Sequence, residues 1–332
     1  MDKIIGLGNA LVDVLATLED DTLLEEMGLP KGSMQLIDDA KLQQINTRFS
    51  QMKTHQATGG SAGNAILGLA CLGAGTGFIG KIGNDHFGDF FRNNLQKNDI
   101  EDKLLISEQL PSGVASTFIS PDGERTFGTY LGAAASLRAE ELTLDMFKGY
   151  AYLFIEGYLV QDHEMILHAI ELAKEAGLQI CLDMASYNIV ESDLDYFTKL
   201  VSEHIDVVFA NEEESRAFTG LEPEKSLEKI ASMCDTVIVK LGARGSIARS
   251  KTAQGGYATC DAGEVEKVVD TTAAGDFFTA GFMYAFTAGC SLEICLKAGT
   301  LLSTQVIQVT GTALPENTWS EIREKIEILC KA

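Results

Sequence analysis

Positive charge is scarce in this sequence. Its 332 residues include 26 Lys and Arg against 48 Asp and Glu, a formal net charge of −22. A chain with this charge repels the phosphates of nucleic acids and anionic lipids unless basic residues cluster locally, and the sequence has no basic cluster. We therefore expect no nucleic-acid or membrane partner. An anionic ligand would have to be held by backbone amides, a few local cations and a metal ion.

Paired cysteine motifs and long apolar segments are also missing. The seven cysteines show no C-x-x-C spacing, which favours reduced thiols over a disulfide framework. The first six residues have no basic region with a cleavage site, and the most apolar stretch, near 65–80, is interrupted by glycines. We therefore predict a cytoplasmic protein without a transmembrane helix. Its 45% hydrophobic content is enough for a large core.

Short apolar runs alternate with amphipathic segments in the second half of the chain. The runs 152–155, 179–182, 206–209 and 236–239 are typical of buried strands, and 164–176 has the periodicity of a helix. This alternation predicts an α/β fold with a mainly parallel central sheet. Ligands bind beyond the carboxyl ends of such strands, so polar residues that follow the runs should share one edge. These residues are Gly157, Asp183, Asn211, Lys240 to Gly242, and Asp270.

Two stretches, 13–39 and 111–131, depart from this alternation. In the second stretch a Pro-Asp-Gly-Glu turn separates the runs 114–119 and 125–130, which predicts a β-hairpin. We predict that both stretches form a small β-sheet lid that excludes water from a site; the alternative is a surface hairpin without function. No linker or repeat divides the chain, so we predict one domain, residues 1–332.

The segment from Asp270 to Asp276, DTTAAGD, carries the strongest functional signal. A helix that starts here would present unpaired backbone N–H groups and the positive end of its dipole, so Ala273, Ala274 and Gly275 would suit a phosphate. Asp276 would then face an acceptor alcohol and take its proton as general base. The segment therefore predicts phosphoryl transfer. Taken alone, it is also compatible with an ordinary capped helix.

Two motifs in the first half of the chain fit recognition of a polyol. Asn9 and Asp13 follow the first apolar run at a spacing that suits adjacent hydroxyl groups, although both are also common in turns. The residues 59–61, Gly-Gly-Ser, lead into an apolar helix with Asn64 in its first turn. Glycine backbone there permits close approach of a ligand; the alternative is a flexible connector.

Two motifs in the second half fit a nucleotide. Asn211 and Glu214 follow a predicted strand and would suit Mg²⁺ held through water, because this ion keeps much of its hydration shell. The alternative is a solvated acidic helix start. Lys240, Gly242 and Gly245 have the spacing of a turn against phosphates, but such a turn by itself has no specific function.

The sequence also contains glycine strings that do not fit a hydride-transfer enzyme. Gly75-x-Gly77-x-x-Gly80 follows a helical pattern and leads into a strand, which reverses the order that a dinucleotide site needs. Ile82 stands where a Walker A loop needs Ser or Thr. Leu11 stands where the third glycine after Gly6-x-Gly8 should be. Hydride transfer is therefore the least favoured class.

Together, these motifs resemble the PfkB-type (ribokinase-like) superfamily of sugar and nucleoside kinases, in matching order across nearly the whole chain. The resemblance implies a three-layer α/β/α domain with a β lid, ATP as phosphoryl donor, Mg²⁺, and a primary hydroxyl as acceptor. It makes Asp276 the base and 273–275 the anion hole. It assigns magnesium and phosphate binding to Asn211 and Glu214, and nucleotide contacts to Lys240, Gly242, Gly245, Thr271, Val306, Val309 and Gly311.

The resemblance also implies a monovalent cation, K⁺, near the carbonyl groups of Asp270 and Thr272 and the loop around Val309 and Gly311. One position departs from the superfamily, which usually has Gly where Ala273 stands. A positive φ at this alanine would strain the anion hole.

Within the superfamily, the stretches 8–13, 59–61 and 306–311 resemble adenosine kinases more than typical ribokinases, which have Lys in place of Ser61. The likeness implies a ribose site, a base near Tyr158 and a phosphate or sugar within reach of Arg125. The implied ribose site comprises Asn9, Asp13, Gly59, Gly60, Ser61 and Asn64. We therefore predict an ATP-dependent kinase of the 5′ hydroxyl of a ribonucleoside, adenosine first. Alternatives are a kinase of a free sugar such as ribose or fructose and a non-catalytic sensor; both monomer and homodimer stay open.

Overall fold

A nine-stranded sheet forms the centre of the protein, and a five-stranded sheet lies beside it. The computed structural model describes residues 2–253 and 256–331. The strands are β1 (Ile4–Leu7), β2 (Leu11–Thr17), β3 (Met34–Leu36), β4 (Thr54–Gly59), β5 (Thr76–Gly83), β6 (Ile100–Ser107), β7 (Gly113–Ile119), β8 (Arg125–Tyr130), β9 (Tyr152–Glu156), β10 (Gln179–Asp183), β11 (Val207–Asn211), β12 (Thr236–Lys240), β13 (Ser246–Ser250) and β14 (Tyr257–Cys260).

The helices pack on both sheets. They are α1 (Thr22–Met27), α2 (Asp39–Phe49), α3 (Ser61–Cys71), α4 (His86–Lys97), α5 (Leu144–Phe147), α6 (His163–Glu175), α7 (Tyr187–Ser192), α8 (Leu194–His204), α9 (Glu212–Thr219), α10 (Pro223–Ala231), α11 (Ala274–Thr287), α12 (Leu292–Val306) and α13 (Glu316–Lys331). Short 3₁₀ turns cover 132–136, 139–141, 157–161 and 242–244.

The larger sheet has the order β14-β13-β12-β11-β10-β9-β1-β5-β6. Strands from β12 to β6 run parallel, and β13 and β14 are antiparallel additions at one edge. Side chains alternate between its faces, so Ile4 packs in one apolar core with α3, α11 and α12, while Ile5 packs in another with α6 and α8. The predicted α/β fold with a mainly parallel sheet and helical layers on both faces is confirmed.

The smaller sheet has the order β3-β8-β7-β2-β4. The predicted hairpin is confirmed as the antiparallel pair β7 and β8, with Ile119 opposite Arg125. The sheet extends beyond the predicted lid stretches, because β4 also belongs to it. The sequence of β4, THQATG, has no apolar alternation and begins with half-buried and exposed residues, so periodicity could not find it. Its action as a lid stays a prediction.

Four segments carry the chain between the sheets: residues 8–10, Gly60 with α3, residues 108–112 and residues 131–151. Residues 8–10 connect β1 to β2, and Gly60 connects β4 to α3. Gly60 has a φ of 84°, and a Cβ atom there would collide with the carbonyl oxygen of Asn9. Glycine is therefore required where these two crossings touch.

Two further observations concern the class of protein. No helix in the described ranges is sufficiently long and hydrophobic to span a bilayer. The seven cysteines are free thiols. The location in the cell stays a prediction.

Candidate active site

A cavity of about 890 Å³ lies where the ends of β10 to β12, the starts of α3 and α11, and the second sheet meet. Its volume is in the range of small-molecule sites, which is about 300–1,000 Å³. Most residues predicted for a site line it: Asp13, Gly60, Ser61, Asn64, Tyr158, Asn211, Glu214, Lys240, Gly242, Gly245 and 271–276. The structure thus brings the first-half and second-half motifs to one place.

Asp276 lies in the first turn of α11 and is held by two residues of α3. Ser61 Oγ donates to Oδ1 at 2.7 Å, and Asn64 Nδ2 donates to Oδ2 at 2.9 Å. Burial raises the pKa of Asp276 to about 6, while the hydrogen bonds from Asn64 and Ser61 limit the rise. A carboxylate with this pKa is ionised at neutral pH and is still basic enough to accept a proton in a reaction.

The start of α11 has the geometry of an anion site with one strained residue. The helix begins at Ala274, and the residue before it, Ala273, has a φ of 61°. This is the left-handed region, which L-residues other than glycine seldom occupy. Ala273 therefore has the positive φ that would strain the anion hole.

Asn211 and Glu214 form a reciprocal cap at the start of α9. Asn211 Nδ2 donates to Glu214 Oε1 at 2.7 Å, and the Glu214 backbone N–H donates to Asn211 Oδ1 at 2.8 Å. Glu214 is only 4% exposed, unlike a solvated acidic helix start. Burial, together with the nearby Asp183 carboxylate, raises the pKa of Glu214 to about 7.

The cavity wall has a charge pattern that suits a divalent cation. Asp13, Asp183, Glu214 and Asp276 line it, whereas Lys240 is the only cation among the described lining residues. No group of three His, Cys, Asp or Glu side chains in 2–253 and 256–331 could hold a metal ion unaided. Mg²⁺ would therefore need phosphate oxygens and water as further ligands, which is its usual preference.

Asn9 does not line the cavity, contrary to its predicted place at a ribose. Its backbone N–H and side-chain Nδ2 donate to Glu156 Oε1, at 2.9 and 2.5 Å. The Ala62 backbone N–H donates to Glu156 Oε2 at 3.0 Å. Asn9 and buried Glu156 thus fix the start of α3. Gly59 does not line the cavity either, but it packs directly against the Asp13 carboxylate, with which a Cβ atom at this position would collide.

Arg125, which was predicted to reach a phosphate or the sugar, does not line the cavity. Its side chain is 13% exposed, so it is not a surface charge, and it pairs with Asp270 at 2.5 Å rather than lining the cavity. It also donates to Thr272 Oγ1 at 3.2 Å. Asp270 was expected directly beyond a strand of the sheet, but it lies in the segment between β14 and α11. Its carboxylate accepts the backbone N–H groups of Thr272 and Gly311, at 2.9 and 2.7 Å.

Three of the residues predicted to contact the nucleotide, Val306, Val309 and Gly311, do not line the cavity. Val306 is fully buried in the core, and Val309 packs against that core, so neither lines the cavity. The opposite face of the same segment does so, through Thr300, Ser303, Thr304 and Ile307. The sequence missed this face, although the i, i+3, i+4, i+7 spacing of small and polar residues could have revealed it.

Other lining residues that were not predicted from the sequence include Phe127, Ala185, Val265 and Val268. Phe127 belongs to the predicted hairpin. The only indication of its role in the sequence is that strand alternation places this aromatic side chain on one face of the predicted lid. Ala185 has a φ of 63°, which no sequence pattern indicated. These residues give the cavity apolar walls beside its carboxylates.

The chain belongs to the pfkB family of carbohydrate kinases, since the sequence model of that family matches residues 33–319. It is therefore a kinase that uses ATP, typically with Mg²⁺, to phosphorylate an alcohol. It is similar to 5-dehydro-2-deoxygluconokinase of Bacillus subtilis (strain 168), with 29% identity over 81% of this chain and 86% of that protein. Adenosine kinase 2 of Arabidopsis thaliana is 26% identical over 94% and 96% of the two chains. The crystal structure of adenosine kinase from Sinorhizobium meliloti matches with a TM-score of 0.85 and 31% identity, covering 98% of this chain and 99% of that one.

Proposed function

We propose that the protein transfers the γ-phosphoryl group of ATP to the 5′ hydroxyl of a ribonucleoside, with adenosine as the first candidate. The observation that carries this proposal is the position of Asp276. Its carboxylate lies at the start of α11 and is held by Ser61 and Asn64 in the wall of the shared cavity. A base beside unpaired helix N–H groups is what transfer to an alcohol requires.

The proposed reaction needs no covalent enzyme intermediate. A lone pair of the acceptor oxygen attacks the γ-phosphorus, and the bond from that phosphorus to the β-phosphate oxygen breaks, so ADP leaves with the electron pair. Asp276 takes the hydroxyl proton. The Ala274 N–H donates to the Thr271 carbonyl oxygen at 3.2 Å, so the N–H groups of Gly275 and Asp276 would stabilise the charge of the migrating group. Mg²⁺, bound through water by Asn211 and Glu214, would neutralise part of the triphosphate charge.

Several features support a ribose in the first part of the cavity. Asn64 Oδ1 is buried and has no hydrogen-bond partner among the described residues, so it could accept from a substrate hydroxyl. Asp13 offers a carboxylate from β2, and burial raises its pKa to about 7 although Arg125 opposes the rise. Phe127 and Tyr158 provide aromatic surface for a nucleobase.

A sugar kinase is the second candidate, because the identity to 5-dehydro-2-deoxygluconokinase, 29%, is comparable to the 26% identity to adenosine kinase 2. The charge of the cavity argues for a neutral acceptor. A sugar acid would need a cation for its carboxylate, but Lys240, the sole cation among the described lining residues, faces the start of α11, where the phosphates of ATP would bind. A neutral nucleoside or neutral sugar meets no such conflict.

The test is a substrate panel with Mg²⁺ and ATP, in which ADP release is measured and products are identified by mass spectrometry. The panel contains adenosine, other ribonucleosides, ribose, fructose and 5-dehydro-2-deoxygluconate. 5′-Deoxyadenosine is the matched control, because it lacks only the proposed acceptor oxygen. We expect turnover with adenosine and none with its 5′-deoxy analogue. Turnover of sugars alone would refute the nucleoside assignment, and thermal stabilisation without any product would favour a sensor.

We also propose that K⁺ binds near the carbonyl groups of Asp270 and Thr272. The support is that the Asp270 side chain is fixed by three partners, namely Arg125 and the backbone N–H groups of Thr272 and Gly311. Equal rates in potassium and choline chloride at one ionic strength would contradict K⁺ activation.

A further inference from the structure

Lys240 reaches the anion site from the end of β12. A Cβ atom placed on Gly275 would lie 3.2 Å from Lys240 Nζ, so the ammonium group directly faces the first turn of α11. The Lys240 side chain is 16% exposed and lines the cavity. A positive charge is thus placed next to the backbone N–H groups that would receive a phosphate.

Asp183, at the end of β10, holds this ammonium group. Lys240 Nζ donates to Asp183 Oδ2 at 2.9 Å, and Asp183 Oδ1 accepts the Ala185 backbone N–H at 2.9 Å. Both carboxylate oxygens are therefore engaged, and the side chain is 6% exposed. Burial by itself would lower the pKa of Lys240, but the Asp183 and Glu214 carboxylates raise it above its ordinary value. These carboxylates therefore favour the charged form of Lys240.

We propose that Lys240 is a catalytic residue that binds the γ-phosphoryl group, and that Asp183 is the positioning residue that holds its ammonium at the anion site. This inference rests on the proposed function. An ammonium group has three donors, and Asp183 engages one of them, so donors remain for phosphate oxygens. As the bond to ADP breaks and the bond to the acceptor forms, Lys240 neutralises charge and keeps its protons, while the acceptor proton goes to Asp276.

A purely structural counterion would give the same contact with Asp183, so the test must separate the two roles. We compare Lys240→Met, Asp183→Asn and the double variant. Removal of one donor to a developing anion lowers kcat by about 10²–10³-fold, which we expect for Lys240→Met. The double variant has no unpaired buried carboxylate and therefore serves if Lys240→Met fails to fold.

The double variant decides between the roles. If Lys240 acts on the phosphoryl group, the double variant stays as slow as Lys240→Met, since Asp183 acts only through the lysine. Recovery of kcat to near the wild-type value in the double variant would overturn the proposal. Thermal unfolding of each variant verifies that the comparison concerns folded protein.

A binding measurement tests the same contact without turnover. Calorimetry gives the affinities of the wild type and the double variant for the β,γ-imido analogue of ATP and for ADP, both with Mg²⁺. A γ-phosphoryl contact predicts that the preference for the triphosphate falls by about tenfold or more in the double variant. An unchanged preference would refute the role of Lys240 and leave the kinase proposal standing. Failure of the wild type to bind either nucleotide would refute both.

Discussion

Arg125 on β8 and Asp270 before α11 form an ion pair, with 2.5 Å between Nη2 and Oδ2. The pair joins the second sheet to the segment that leads into the anion site. Since the same carboxylate also accepts the N–H groups of Thr272 and Gly311, it connects three separate parts of the chain. The position of the second sheet and the shape of the phosphate site are therefore physically linked.

Replacement of Arg125 by Met should lower the free energy of unfolding by about 3 kcal/mol, because it leaves the Asp270 carboxylate buried without its cation. Urea unfolding measures the change. The double variant Arg125→Met with Asp270→Asn should recover a large part of the loss, since no buried charge then lacks a partner. If Arg125→Met is as stable as the wild type, the ion pair makes no net contribution to the free energy of unfolding.

Replacement of Asp276 by Asn should lower kcat by about 10²–10⁴-fold, which is the usual contribution of a general base. Binding of ATP should be retained. Initial rates at saturating substrate measure the change. Asp89→Asn is the matched control, because Asp89 is an exposed aspartate in the first turn of α4. Near-normal turnover of Asp276→Asn would refute its role as base.

Protonation of Glu156 should stabilise the fold. Burial raises the pKa of Glu156 from 4.5 to about 7, although hydrogen bonds from Asn9 and Ala62 oppose the rise. Because the folded state binds this proton more tightly, the stabilisation is complete below about pH 4.5 and is lost as pH rises through 7.

The measurement is urea unfolding of the wild type and Glu156→Gln between pH 5 and 8. Glu156→Gln loses one hydrogen-bond acceptor at every pH, which shifts its unfolding free energy by a constant amount. The titration of Glu156 is therefore seen only in how the difference in unfolding free energy between the two proteins changes with pH. The wild type should lose up to about 3 kcal/mol relative to the variant over this window. Parallel curves would contradict the raised pKa.

Replacement of Ala273 by Gly should raise the free energy of unfolding by up to about 1 kcal/mol, because its φ of 61° is unfavourable for alanine. Ala185→Gly should have the same sign, since its φ is 63°. Ala274→Gly is the opposite control, because Ala274 is the first residue of α11 and glycine weakens a helix. Destabilisation by Ala273→Gly would mean that the alanine methyl group makes a compensating contact.

Periodicity in the sequence predicted those elements that bury both faces. β9 to β12 are short apolar runs followed by polar residues, and their parallel order places Asp183, Asn211 and Lys240 at one edge. The order of motifs along the chain then led to the family. Both predictions depend only on short stretches of sequence and not on contacts between distant residues.

The residues that the structure places away from the cavity, contrary to expectation, include side chains whose positions depend on a partner far away in the sequence. Asn9 turns away from the cavity because Glu156, at the end of β9, accepts two of its N–H groups. Arg125 pairs with Asp270 because a buried charge is costly without an opposite charge beside it. Neither partner lies near in sequence, so no local pattern could indicate these pairs.

Two of the crossings between the sheets, at residues 8–10 and at Gly60, have a consequence for motion. Asp13 follows one crossing on the second sheet, and Asn64 follows the other on α3, which packs against β1 and β5 of the main sheet. If the smaller sheet tilts relative to the main sheet, the separation of Asp13 from Asn64 changes. A sugar ring bound by both residues would fix their separation. An occupied acceptor site would therefore also fix the angle between the two sheets.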